Sequence, residues 1–233
     1  MKEKLFANEP RSGGGTRSRA LRIVVPCALA ALELSHPVWV EGSVSQAVVA
    51  AGGWWLPLHP LLIIGYAALV RVLWVPGILV RTVLVSFLVC NTAFLAVDGI
   101  AVGLLAGSDP QAADALWNSA LVTALANVTG ATWAASLLSI AHFHGPKGRP
   151  ALIGIVLTWL AVVASATSLS APPVISRLLA AATGAWIVYS RGTTGVPAAL
   201  LVFAAVLHQH VGPEAALGLL LVSVALARLP EPG

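Results

Sequence analysis

The sequence predicts an all-α protein, a polytopic bundle of seven or eight transmembrane helices with its N-terminus in the cytoplasm. Three observations carry that expectation. Of the 233 residues, 58% are hydrophobic and 9% charged, whereas a soluble domain carries about a quarter charged residues. So few charges cannot clothe a water-facing surface. Apolar runs close to the length that a bilayer core demands, about 20 residues, recur along the whole chain. Finally, the lysines and arginines cluster between alternate pairs of runs, as orientation by cytoplasmic basic residues requires.

Residues 1–20, MKEKLFANEPRSGGGTRSRA, are polar, Gly/Ser-rich and basic, and are expected to form a disordered cytoplasmic tail. Residues 21–229 form the single transmembrane domain. Its apolar segments are expected near 21–40, 54–74, 82–106, 116–141, 151–170, 173–190, 195–210 and 213–229. The last two are short and joined by HQHVGPE, so seven spans with a re-entrant hairpin is the alternative. With the N-terminus inside, every lysine and arginine except Arg177 lies on the cytoplasmic side. Glu41, Asp109, Asp114 and Glu214 fall in the external loops. The basic excess is thus a topology signal and implies no nucleic-acid partner; the partner is the lipid bilayer of a bacterial inner (cell) membrane. Trp39, Trp54, Trp55 and Trp117 fall at the predicted outer interface, where amphipathic rings are favoured. Trp133, Trp159 and Trp186 lie deeper and are expected to pack between helices.

The informative residues are the polar ones that lipid should exclude. In the first segment Glu33 and His36 stand one turn apart, just before Pro37, which predicts a kink. In the second, WWLPLHP sets His59 on one face with Trp55 and Tyr66. In the third, Asn91 and Asp98 share a face. HQH ends the seventh segment outward with His208 and His210, and Arg177 enters the sixth. All are expected at one depth in the outer half. A charge at the bilayer centre costs about 2.5–3.5 kcal/mol on insertion scales, so a shared polar pocket is one reading and separate structural pairs, such as Asp98 with Arg177, the other.

Several chemistries would use such a pocket. Glu33 or Asp98, kept protonated by burial, would be the acid of a membrane-embedded enzyme acting on a lipid or isoprenoid-like substrate, with His36 and His59 as its partners. Trp39, Trp55 and Tyr66 would wall a carbocation. A metal version would bind zinc or iron through His36, His59, Asp98 and His208. It resembles in outline the intramembrane hydrolases with three histidines and an aspartate, although their two terminal histidines lie four apart and His208 and His210 only two. A b-type haem between two outer histidines is a further alternative; ELSH is similar to the Glu-x-x-His of haem A synthases. The last reading is a non-catalytic transporter or accessory protein. Gly99, Gly103 and Gly107 form a small-residue seam for helix packing or for a homodimer. SHP, WWLPLH and DGIAVG together resemble a scattered group of uncharacterised bacterial polytopic membrane proteins. That likeness covers mainly the first three segments and implies a multi-pass helical fold and no transferable activity.

Overall fold

The computed structural model describes residues 14–37, 43–166, 173–207 and 212–229. Among these the secondary structure is helical throughout, with no strand. Helix α1 (Gly14–Leu34) begins within the stretch expected to be a tail. It stops earlier than expected, because a residue preceding proline is steered away from helical geometry and Pro37 follows His36. The Ser35 and His36 amides close the last turn onto Ala31 and Glu33. Helix α2 (Val44–Ala50) is capped by the Ser43 hydroxyl. A tight turn, with Gly52 at φ 57°, leads into α3 (Trp55–Val72).

Helix α4 (Ile78–Leu95) passes through a π-helical turn at Ala96–Ala101 and continues as α5 (Val102–Ser108). The Asp109 carboxylate then caps α6 (Pro110–Trp117), which has proline in its first turn. Ser119 caps the long α7 (Ala120–His144). Helices α8 (Arg149–Ala166), α9 (Pro173–Arg191), α10 (Val196–Leu207) and α11 (Pro213–Arg228) follow. Among the described residues, four helical runs are long and apolar enough to cross a membrane: Gly52–Val72, Ile78–Ser108, Ala120–His144 and Val174–Leu207. The last folds back at Gly192, where φ is 60°. As a result α9 and α10 lie antiparallel, with Gly184 against Ala199.

The main core is gathered around α3, α4, α7, α10 and α11, with Leu58, Leu84, Phe87, Leu137, Leu201 and Leu219 essentially fully buried. Trp133 packs there, as expected. Trp159 and Trp186 do not: both turn toward the outer surface of the bundle, 37% and 44% exposed. One rim of the bundle is basic. There Arg22 donates to the Leu229 carbonyl, Arg191 to Gly145, and Lys147 to His142 and Phe143, joining the start of α1 to the ends of α7, α9 and α11.

The opposite end carries a small second core in which α2 and α6 lie over α5, with Val44, Val48, Val102, Ala106 and Ala113 packed against Trp55. This cap is tied by one carboxylate. Asp114 accepts the Ser45 amide at 2.9 Å and its hydroxyl at 3.1 Å. The Ser45 amide foremost, with help from the hydroxyls, holds the Asp114 carboxyl below its ordinary range. A carboxyl depressed in the folded state stabilises it above the unfolded-state value and loses that contribution as pH falls through the folded value. The protection of the Ser45 amide, its hydrogen-exchange rate relative to the intrinsic rate at the same pH, is therefore expected to be high near neutral pH and to be lost on acidification below the ordinary carboxylate range. Asp114→Ala should leave that protection low at every pH.

A polar cluster on the buried face of helix α3

Helix α3 presents Trp55, His59 and Tyr66 on one buried face, the face that their spacing predicts, and three other stretches of chain converge on it. From the last turn of α1 comes Glu33, 4% exposed. Its Oε1 accepts the Tyr66 hydroxyl at 2.8 Å, and the Gly212 amide at the entrance to α11 bonds the same carboxyl. Tyr66 in turn stands edge-on to Phe87 and Trp133. The Glu33 carboxyl is thus buried and met by a phenol that itself packs among aromatic rings.

His36, just beyond α1, lies edge-to-face with Trp55 and His59, each 5.4 Å away between ring centroids. His59 is wholly buried, and its Nδ1 donates to the Trp55 carbonyl at 2.8 Å. In a neutral ring this leaves Nε2 as an acceptor. Trp55 donates its indole N–H to the Gly99 carbonyl at 2.7 Å.

That carbonyl belongs to the π turn, which also holds Asp98, 4% exposed. Single π turns inside α-helices recur at functional sites, and here the extra residue sets the backbone of Gly99 against the His59 ring. A Cβ at Gly99 would collide with that ring, and one at Gly103 with Trp55. Two of the three glycines of the seam are therefore used for contact with α3 inside the chain; Gly107 faces open space.

Among the described residues, four buried polar atoms of these stretches have no hydrogen-bond partner: His36 Nδ1, His59 Nε2, Asp98 Oδ1 and Asn91 Nδ2. Buried polar groups are nearly always paired, so this concentration is unusual.

The other expected site residues fall differently. Arg177 is a counter-charge, but to Glu214, at 2.8 and 3.0 Å between α9 and α11, and so not to Asp98. Both members of that pair are about two-fifths exposed. His208 and His210 lie outside the described residues, as does Trp39. Among the described residues, no three of His, Cys, Asp and Glu gather as a metal would require, so His36, His59 and Asp98 do not by themselves complete the expected zinc or iron set. Bis-imidazole haem ligation by His36 and His59 is corrected on geometry. A haem needs the imidazoles on opposite faces of the porphyrin, whereas these rings touch edge to face.

The chain matches no family model, no curated protein and no solved structure.

Sequence reasoning missed the Tyr66–Glu33 bond and the π turn. The first had a signal, since Tyr66 was already assigned to the His59 face. The second had none beyond the glycines that follow Asp98.

Two substitutions check this packing by thermal unfolding in detergent. Gly99→Ala should cost about 1–3 kcal/mol, the usual effect of overpacking, while Gly107→Ala is neutral or slightly stabilising. Tyr66→Phe should cost about 1–3 kcal/mol by stranding a buried acceptor, and much of that loss should vanish in a Glu33→Leu background.

Proposed function

We propose that the chain is a multi-pass integral membrane protein of a bacterial inner membrane. In this reading it has seven or eight spans, a cytoplasmic N-terminus, and a polar site in the outer half at Glu33, His36, His59 and Asp98. The four long apolar runs support the membrane setting. The basic rim supports the orientation, because cytoplasmic loops concentrate lysine and arginine. Glu33 lies eleven residues beyond Arg22 of that rim, about 16 Å along a helix, a distance that supports a position beyond the midplane of a hydrocarbon core of about 30 Å.

The observation that carries the functional reading is the set of unpartnered buried atoms. Leaving a buried donor or acceptor unsatisfied costs about 1–3 kcal/mol, and His36, His59 and Asp98 together hold three such atoms. Ionisable groups inside a membrane mark functional sites by default. We read the cluster as a site that receives the polar end of a hydrophobic small molecule, a lipid or an isoprenoid-like substrate. The apolar remainder of the ligand would lie toward lipid. In the enzymatic form of this reading, Asp98 is the acid. His59 accepts a proton at Nε2, since its other nitrogen is committed to the Trp55 carbonyl. His36 orients the polar group, and the Trp55 ring walls the site. Glu33, already bonded to Tyr66 and Gly212, holds the end of α1 in place. The resemblance of the first three segments to bacterial polytopic membrane proteins fits the same setting.

A non-catalytic binder or transporter would use the same atoms without turnover. The two forms part on chemistry. Lipid extracts of cells expressing the wild-type chain should contain a hydrophobic species that is lost or altered with Asp98→Asn and with His59→Gln, at equal membrane abundance of the three proteins. Identical extracts from all three would remove the enzymatic form. If, in addition, the species retained on the purified protein did not differ, the site reading itself would fall.

A further inference from the structure

A cavity opens at the basic rim, away from the polar cluster. It is an open groove of about 300 Å³ between the start of α4, the last turns of α7 and the first half of α8. Leu79, Leu138, Val156 and Trp159 supply apolar walls, and the polar groups on its lining are Ser139, His142 and Lys147. Its volume is at the small end of ligand pockets, about 300–1,000 Å³, which suits one flexible chain better than a compact polycycle. Much of the wall faces outward: Leu79 is 69% exposed and Val156 44%. In the membrane setting those faces meet lipid.

The end of the groove is not apolar. The Lys147 ammonium donates to the His142 and Phe143 carbonyls at 3.0 and 2.9 Å and lies over the Phe143 ring. An ammonium has three donors, so one remains for a further acceptor. Beside it, His142 Nδ1 is buried and has no partner among the described residues. Arg149 opens α8 immediately after this turn, and no acidic residue lines the groove. An apolar trough that ends in an ammonium and an unpartnered imidazole nitrogen, at the rim where basic residues gather, is complementary to an anionic amphiphile.

We infer that this groove is a binding site for an acidic phospholipid, with one acyl chain between α4, α7 and α8 and its phosphate at Lys147 and His142. The site is separate from the Glu33–Asp98 cluster and stands whether or not that cluster is catalytic. A basic residue near the surface favours anionic lipid by about 1 kcal/mol, which corresponds to about a fivefold preference per residue.

Trp159 in the wall makes the inference measurable. The full chain would be reconstituted in phosphatidylcholine vesicles carrying a minor fraction of either brominated-acyl phosphatidylglycerol or brominated-acyl phosphatidylcholine. The Trp159 signal is taken as the difference between wild type and Trp159→Phe. Brominated phosphatidylglycerol should quench that signal with about fivefold higher apparent affinity than brominated phosphatidylcholine. Lys147→Gln should bring the ratio close to one, and Val156→Phe, at an exposed wall, should abolish the selective component by filling the groove. Equal quenching by the two lipids in the wild type would overturn the inference. So would a preference unchanged in Lys147→Gln or in Val156→Phe.

Discussion

A polar group enclosed in an apolar helix bundle has to be answered by another group of the same protein, because neither lipid nor core hydrocarbon can bond to it. Helix α3 is where this chain meets that constraint. Its buried face offers a phenol to Glu33, an indole N–H to Gly99 and a backbone carbonyl to the His59 ring. Without α3, the end of α1 and the π turn would each present a polar group to hydrocarbon. Trp55 and Tyr66, which bear those donors, are also among the largest buried side chains, so satisfying polar atoms and filling the interior are achieved by the same residues.

Close approach follows from the same demand. The His59 ring reaches the π turn only because residue 99 has no side chain, and Trp55 packs on α5 only because residue 103 has none. The glycines thus bring the α4–α5 run against α3, and the π turn sets Asp98 into the interior beside them. Over this junction the α2–α6 cap closes, held by Asp114. The result brings the His36 and His59 rings into contact, and among the described residues His36 Nδ1, His59 Nε2 and Asp98 Oδ1 have no hydrogen-bond partner.

The two ends of the bundle differ in chemistry. At the basic rim, arginines and Lys147 close on carbonyls at helix C-termini, where the helix dipole favours cations. At the other end, carboxylates predominate: Asp109 caps a helix, Asp114 ties the cap, and Glu214 neutralises Arg177. This asymmetry gives the helix bundle a direction, with the polar cluster toward one end and the apolar groove at the other.

Much of this was legible in one dimension. Composition and the length of apolar runs specify helices in an apolar setting, because each helix satisfies its own backbone. Periodicity alone puts Trp55, His59 and Tyr66 on one face. Lateral neighbours are a different matter. That Arg177 meets Glu214 instead of Asp98, that Tyr66 reaches Glu33, that Trp159 faces outward and that a π turn lies at Asp98 all depend on which helices lie side by side and how each is rotated. Hydrophobic spacing constrains the inward face of a helix but not the helix it will face, so only the tertiary packing could decide those pairings.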